Sequence, residues 1–494
     1  MMKSAHIAIA ITALVAMLVS VFSLERVRSS LEIESLELGS TPVTRYQLPG
    51  STGPVVVVAH GFAGSRQIMQ AYSLNLAQAG YRVLAFDFQG HGRNPRPMSG
   101  DVSSIDGTTA LMIAETRRVI ASAHALPGDQ PVSLLGHSMA TDILVRSAIA
   151  EREDNRPVAA VVAISMFSEA VTATMPERLL IVSGQWESRL RQAALNAVQL
   201  VEGDAEEGEL VTSGTVARLA LVAPWVEHVG VLYSPTAVRA AVNWLDETYG
   251  RENNSTIAPT GFWILLLLAG IVAVFYPLVA RLPGRETMRD LSNRRFLTAV
   301  ILPAIAAPIV VAPFYDNFLP VLVADYLMIH LAVFGMLQLW LSGRAREIAR
   351  PVSWRAAGLL TFWGIAVFGL ALDRYAASFW PNGERLVLIV LLALGTVPFM
   401  LGDSIVTGAG RGALWRRIAA RILLLASLIA GALIDPENLT FVLIVLPVFM
   451  LFFFVHGLMG RWVARRSGAV AAGLGLGLCL AWALGVSFPL FAGS

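Results

Sequence analysis

Ser138 is the residue whose type and surroundings point most directly to chemistry. It lies in the segment Gly136-His137-Ser138-Met139-Ala140, which follows an apolar run and precedes a helical pattern. A serine in a sharp turn between a strand and a helix exposes its hydroxyl in front of the helix N-terminus, as a nucleophile requires. Glycine is usual at the last position of this motif, and the methyl group of Ala140 adds little bulk. The pattern predicts a nucleophilic serine, against the simpler interpretation of a serine that only begins a helix.

The elements that would position Ser138 form an alternating pattern in residues 30–255. Short runs rich in β-branched residues alternate with amphipathic helical runs, which is typical of an α/β fold with a mostly parallel sheet and helices on both faces. The valine run at residues 54–59 suits a strand buried on both faces, whereas the alternating residues 31–38 suit an opening antiparallel strand. Ser138 then follows a predicted strand at residues 132–135.

Together with Ser138, two further segments resemble the α/β-hydrolase superfamily, in particular its serine aminopeptidase-like and dienelactone hydrolase-like members. Residues 58–65 are similar to the family's oxyanion loop after the third strand, and residues 86–92 to its loop after the fourth. The resemblance covers residues 30–255 and leaves the membrane part outside. It implies that the backbone N–H groups of Phe62 and Met139 form an oxyanion hole, a pair of donors that stabilises a developing negative charge.

The same resemblance implies a histidine base after the last strand and an acid after the seventh. His228 lies just ahead of the final predicted helix, and Glu187 stands where the family usually has aspartate. Glutamate accepts a hydrogen bond from imidazole as aspartate does, provided that the loop compensates for its length. Glu169, after the sixth strand, is the alternative acid, and a purely structural role is the alternative for His228. The histidines of the motif loops are expected to make structural hydrogen bonds: His60, His91 and His137.

With these roles, the expected reaction is acyl transfer. His228 deprotonates Ser138, which attacks a carbonyl carbon, and water activated by His228 then releases the acyl group. A carboxylic ester is the expected substrate, with an amide or peptide as the alternative, and we expect no cofactor and no metal. Few residues separate the sixth and seventh strands, where the family commonly carries a cap, so the site is expected to be open to a small-molecule or lipid ester. Arg93 and Arg96 would either meet an anionic group or lie exposed.

Composition separates the chain into two parts. Residues 29–256 hold 16 arginines against 24 aspartates and glutamates, and an acidic domain argues against nucleic-acid binding. The single Cys479 lies in an apolar run, which excludes a disulfide framework and a cysteine-based metal site. The whole chain is 55% apolar, too much for a soluble protein. No pattern indicates an oligomeric state.

The apolar excess lies at the N-terminus and after the acidic domain. Residues 5–24 form an apolar run after Lys3, which predicts a membrane anchor, or a signal peptide, within residues 1–29. Residues 256–494 are predicted to form an all-α transmembrane bundle of about eight helices. Their apolar runs lie approximately at residues 260–280, 296–315, 318–342, 356–372, 386–402, 422–434, 439–460 and 469–491.

Arginine is distributed unequally between the loops of this bundle. Alternate loops hold sixteen arginines, and the others hold two, Arg374 and Arg385. Because arginine-rich loops stay in the cytoplasm, residues 30–258 are predicted to lie outside it, in a multi-pass protein of the cell membrane. The arginine-rich set is Arg281, Arg285, Arg289, Arg294, Arg295, Arg344, Arg346, Arg350, Arg355, Arg411, Arg416, Arg417, Arg421, Arg461, Arg465 and Arg466.

A different function is open for a chain with so large a membrane part. A transporter, channel or assembly protein would carry the outer domain as a non-catalytic module, and Ala140 and Glu187 would then reflect lost catalysis. Ionisable residues inside spans are candidate functional groups. Asp325 and His330 share a predicted helix but lie about 140° apart around its axis, so they do not suggest one site. Labelling by a fluorophosphonate distinguishes an active serine from these alternatives.

Overall fold

The computed structural model describes residues 2–101, 105–126, 131–285, 290–316 and 318–491. Its strands are β1 (Glu32–Leu38), β2 (Thr41–Gln47), β3 (Val55–Ala59), β4 (Arg82–Phe86), β5 (Ser133–His137), β6 (Val161–Ile164), β7 (Arg178–Gly184), β8 (Leu210–Ser213) and β9 (Val216–Ala223). They form a nine-stranded sheet in the order β1-β2-β4-β3-β5-β6-β7-β9-β8. All pairs from β4 to β9 are parallel, and β1, β2 and β8 pair antiparallel at the two ends. The predicted mostly parallel sheet is confirmed.

Helices cover both faces of this sheet, as predicted. They are α2 (Gln70–Gln78), α3 (Ala110–His124), α4 (Ala140–Glu153), α5 (Ser188–Gln199) and α6 (Pro235–Thr248), after a first long helix α1 (Met2–Ser29). The valines of β3 alternate between two apolar clusters, Val55 and Val57 in one and Val56 and Val58 in the other. The first cluster takes side chains from α3, α4 and α5, and the second from α2 and α6. A strand buried on both faces explains the uninterrupted valine run.

The sequence patterns do not predict the strands β2 and β8, which have few apolar residues. Each is set by a tight turn instead. Gly39 has a φ of +65° and lies between Leu38 and Thr41, which pair across β1 and β2. Gly214 has a φ of +60° in the equivalent turn between β8 and β9. Hairpin turns of two residues favour glycine at such angles, so the pairing follows from the turn rather than from an apolar pattern.

Nine helices in the described part of the chain are long and apolar enough to cross a membrane: α1 and one for each of the eight predicted runs. The helices after the sheet are α7 (Thr260–Val279), α8 (Asn293–Val311), α9 (Ala324–Ser342), α10 (Trp354–Phe362), α11 (Phe368–Tyr375), α12 (Gly383–Val406), α13 (Leu414–Ile434), the short α14 (Pro436–Leu439), α15 (Val442–Ser467) and α16 (Ala469–Ser487). One π-helical turn joins α10 to α11, so that these two count as one span. They form an all-α region with its own apolar core.

Two of the predicted spans have wrong N-terminal bounds. The helix α9 begins at Ala324 and not at residue 318, and α13 begins at Leu414 and not at residue 422. Arg416, Arg417 and Arg421 interrupt the apolar run but lie within α13. Long arginine side chains at the end of a span keep the charge at the interface while the helix continues, so the helix is longer than its apolar run.

The carboxyl edge of the sheet rests on one end of the helical bundle. In the loop after β3, Ser65 Oγ accepts a hydrogen bond from the Ser378 amide at 3.0 Å. In the loop after β4, the Gly90 carbonyl oxygen accepts one from the Leu490 amide at 2.9 Å. Because successive long helices of the bundle reverse direction, the connections that hold Ser378 and Leu490 lie at the end opposite the arginine-rich loops. The carboxyl edge of the sheet and the bundle therefore share an interface.

Arg385 joins the two parts and corrects a second prediction. It lies inside α12 and not in a loop, and it is 2% exposed. Its guanidinium donates to the carbonyl oxygen of Phe488, to that of Gly485 at 3.2 Å and to that of Gly90 at 2.9 Å. One side chain thus links the end of α16 to the loop after β4.

Substitution of Arg385 by methionine is expected to destabilise this junction. Methionine keeps much of the apolar stem but leaves several buried carbonyl groups without a donor, which should lower the free energy of unfolding by about 2–4 kcal/mol. Thermal denaturation of the purified protein measures the change. Arg93→Met is the matched control, because Arg93 is partly exposed in its ion pair with Asp373 and such pairs contribute less than about 1 kcal/mol. Equal losses in the two variants would contradict the role given to Arg385.

Candidate active site

Ser138 stands in a strained turn between β5 and α4. Its φ is +53°, in the left-handed region that residues other than glycine seldom adopt. A Cβ added to Gly136 would lie 2.6 Å from Leu144 Cδ1 and 3.2 Å from Ala140 Cβ, so strand and helix pack too closely for a side chain there. The side chain of Ala140 is fully buried in this turn. The departure from the usual motif therefore leaves the turn intact.

The structure brings Ser138, His228 and Glu187 into one hydrogen-bonded chain. His228 Nε2 lies 2.9 Å from Ser138 Oγ, and His228 Nδ1 lies 2.6 Å from Glu187 Oε1. Because a carboxylate only accepts, Nδ1 carries the proton in this arrangement and Nε2 is left to accept from the serine hydroxyl. The His228 side chain is 41% exposed, so the chain of groups ends at an open surface.

Glu187 is held as a carboxylate by the loops around it. Its Oε2 accepts hydrogen bonds from Ser165 Oγ at 2.7 Å and from the Gly184 amide at 2.6 Å. Burial raises the pKa of the Glu187 carboxyl, but the hydrogen bonds from His228, Ser165 and Gly184 outweigh it and the net pKa is lowered. Glu169, the alternative acid, is exposed, and no hydrogen bond to His228 is found for it in the described structure. Sequence reasoning missed Ser165, whose only signal is its place directly after β6.

The loop that carries Phe62 lies directly against Ser138. A Cβ added to Gly61 would lie 3.0 Å from Ser138 Cβ and 3.0 Å from His137 Nδ1. The Ser138 amide donates to the Ile164 carbonyl at 2.9 Å, which occupies it. Met139 precedes α4, so its amide is among those without an acceptor inside the helix. The amides of Phe62 and Met139 thus stand on the two segments that border Ser138.

Three buried histidines lie in or beside these loops: His60, His91 and His137. His137 Nε2 donates to the His228 carbonyl oxygen at 2.8 Å. His60 Nε2 accepts from the Phe88 amide at 3.1 Å, and its Nδ1 donates to the Gly61 carbonyl oxygen at 2.8 Å. Burial lowers the pKa of all three, of His137 to about 3 and of His91 well below its ordinary value. All three are therefore neutral at physiological pH.

These histidines should make the protein less stable in acid. A histidine that stays neutral in the folded protein takes up a proton on unfolding when the pH is below its ordinary pKa of 6.5. Its contribution to the free energy of unfolding is therefore fully present above pH 6.5 and is lost as the pH falls toward the pKa of the folded state, which is about 3 for His137. The thermal midpoint of the purified protein is expected to decline from pH 6.5 downward. His137→Gln keeps an N–H donor without a titrating ring, and its midpoint should decline less steeply. Identical slopes would rule out this role for His137.

Arg93 and Arg96 are engaged in ion pairs. Arg93 Nη2 lies 2.6 Å from the Asp373 carboxylate, and Arg96 Nη2 lies 3.3 Å from Glu115. Arg93 is exposed, as the second interpretation predicts, and Arg96 is partly buried, but the sequence does not predict their acidic partners. Within the ranges that the structure describes, no group of three His, Cys, Asp or Glu side chains suited to a metal ion is found.

Part of the chain is similar to known proteins. Residues 50–200 match the family model for serine aminopeptidase, S33. A predicted CIB-like hydrolase from Thermoplasma acidophilum is 16% identical, with 44% of this chain and 98% of that chain covered and a TM-score of 0.34. Dienelactone hydrolase from Anabaena variabilis is 15% identical, with 45% of this chain and 98% of that chain covered and a TM-score of 0.34. A hormone-sensitive lipase from a metagenome library is also 15% identical, with 45% of this chain and 87% of that chain covered and a TM-score of 0.34. The sheet order and the turn at Ser138 give the domain between α1 and α7 the α/β-hydrolase fold, and its residues 50–200 match a hydrolase family model.

Proposed function

We propose that this protein is a membrane-anchored serine hydrolase that cleaves a carboxylic ester through an acyl-enzyme. The observation that carries the proposal is the chain from Ser138 Oγ through His228 to Glu187, with separations of 2.9 and 2.6 Å. A nucleophile, a base within hydrogen-bonding reach and a carboxylate that orients the base are the groups that acyl transfer needs.

The reaction follows from the donors and acceptors at the site. His228 Nε2 accepts the hydroxyl proton of Ser138 as Oγ attacks the carbonyl carbon, and the amides of Phe62 and Met139 stabilise the oxyanion. The imidazolium, stabilised by Glu187, returns its proton to the leaving alkoxide as the ester bond breaks. Water then attacks the acyl-enzyme with His228 again as the base, which frees the acid and restores Ser138.

The site belongs outside the cytoplasm in this proposal. The sheet rests on the end of the bundle opposite the arginine-rich loops, and such loops remain in the cytoplasm. Gly203 lies in an exposed loop where an added Cβ meets nothing within 4 Å, and Arg346 is exposed in an arginine-rich loop.

Cysteine labelling of intact cells tests this orientation. A membrane-impermeant maleimide is expected to label Gly203→Cys and to leave Arg346→Cys unlabelled until the membrane is permeabilised. The buried Cys479 provides a low background. The reverse labelling pattern would place the hydrolase domain in the cytoplasm.

Pre-steady-state kinetics test the chemistry. Purified protein mixed with p-nitrophenyl butyrate is expected to release a burst of one nitrophenolate per active site, followed by slower turnover, because the acyl-enzyme forms before it is hydrolysed. The corresponding p-nitroanilide distinguishes an esterase from an amidase and should react far more slowly. Absence of ester turnover would overturn the proposal.

A further inference from the structure

The helical region supplies apolar side chains to the cluster that Phe62 and Met139 join. Phe62 and Met139, whose amides flank Ser138, have partly buried side chains in the apolar cluster of the sheet. The same cluster includes Phe491, from the segment after α16, and Leu322, from the segment before α9. Side chains from both parts of the chain therefore pack in one apolar cluster with Phe62 and Met139.

An apolar cleft continues from Phe62 between two spanning helices. The ring of Phe62 lies 5.7 Å from that of Phe441, at the start of α15. Beyond them the cleft is lined by side chains of α15 and α16, among them Val448 and Leu484, and Ser487 alone of its lining residues has a polar side chain. Its free volume is about 30 Å³, so a chain of methylene groups enters only when the two rings separate.

The cleft lies at the end of the helical bundle that packs against the sheet. Ile444, which lines it, is 46% exposed on α15. Three aromatic residues at the ends of β6, β7 and β9 are also exposed around the Ser138 edge: Phe167, Trp186 and Trp225. Large exposed apolar side chains grouped at one edge are typical of a surface that contacts lipid or an apolar ligand.

We propose that the substrate is a long-chain acyl ester taken from the adjacent leaflet, with its carbonyl carbon at Ser138 and its acyl chain in the cleft beside Phe62, Phe441 and Val448. This inference rests on the proposed function and names its substrate class. Phe62 carries it, because its backbone follows Gly61, which lies against Ser138, and its ring lines the cleft beside Phe441.

Chain-length profiles of one variant pair test the inference. Wild type is expected to show kcat/KM that rises from p-nitrophenyl butyrate through octanoate to dodecanoate, measured in mixed micelles per fluorophosphonate-titrated site. Val448→Trp fills the cleft and should lower kcat/KM for dodecanoate at least about tenfold while butyrate changes less than about twofold. Leu443→Trp is the matched control, because Leu443 is exposed on the same helix outside the cleft. It should keep the wild-type profile.

A second substitution at the same position guards against misfolding of the tryptophan variant. Val448→Ala widens the cleft and should raise the ratio of palmitate to dodecanoate hydrolysis above that of wild type. An enzyme that is labelled and cleaves butyrate, but has no chain-length preference or keeps its preference in both Val448 variants, overturns the substrate class and leaves the proposed function standing. A wild type that is not labelled and cleaves no ester of the series overturns the proposed function itself.

Discussion

Replacement of Ser138 by alanine is expected to lower kcat for p-nitrophenyl butyrate by about 10⁴- to 10⁶-fold, with KM little changed. In the proposed mechanism, the substitution removes the atom that forms the acyl-enzyme and leaves the ester-binding surfaces in place. The Oγ atom forms a hydrogen bond with His228 Nε2, and the His228 side chain is partly exposed. Loss of Oγ therefore leaves no fully buried polar group without a partner. The thermal midpoint of Ser138→Ala should therefore stay close to that of wild type, and steady-state assays of purified protein measure the loss of rate.

The double variant Ser138→Ala/His228→Ala is the companion measurement. Residues that act as one unit have non-additive effects, so the double variant should be no slower than Ser138→Ala alone. Additive losses would mean that His228 acts on the reaction independently of Ser138. A transporter or assembly protein with a non-catalytic outer domain leads to a different result, because its flux or partner binding would be unaffected by Ser138→Ala.

Substitution of Glu187 by glutamine is expected to lower kcat by about 10³- to 10⁴-fold. Glutamine has nearly the same shape, but its amide can present an N–H group to His228 Nδ1, which then favours the tautomer with the proton on Nε2. That tautomer cannot accept the Ser138 proton. The loss also removes the negative charge that stabilises the imidazolium, while Ser165 and Gly184 are left to donate to a neutral group.

Glu169→Gln is the matched control for this prediction. Glu169 was the alternative acid in the sequence, yet it is exposed in the structure. Its variant should have the kcat of wild type within about twofold, as expected of a surface change away from the reacting groups. A large loss in Glu169→Gln with an active Glu187→Gln would reverse the assignment of the acid.

Much of the sheet and the membership of the candidate site are predictable from sequence because local patterns carry them. The buried strands have continuous apolar runs, and Ser138, His228 and Glu187 each follow the end of a predicted strand, where parallel sheets collect their side chains. The structure brings these three residues together, and their catalytic roles stay predictions. Ser165 lacked such a signal, because a single serine after a strand is common and its contact with Glu187 depends on the loop between β7 and α5.

The relation between the two parts of the chain is not predictable from local patterns. Arg385 and Gly90 are 295 positions apart, and their hydrogen bond depends on how α12 is placed in the finished bundle. In sequence, an arginine near the start of a helix resembles a loop residue. Its burial is possible only because carbonyl groups that are distant in sequence accept its hydrogen bonds. The apolar cleft behind Phe62 has the same origin, because α15 and α16 reach it only through the tertiary fold.

Fluorophosphonate labelling followed by peptide mass mapping tests the central claim most directly. Purified wild-type protein is expected to gain the mass of one adduct, on the peptide that contains Ser138, and Ser138→Ala should gain none. Prior incubation with the ester substrate should slow the labelling. A wild-type protein that remains unlabelled, or an adduct on a different residue that persists in Ser138→Ala, would contradict the assignment of Ser138 as the nucleophile.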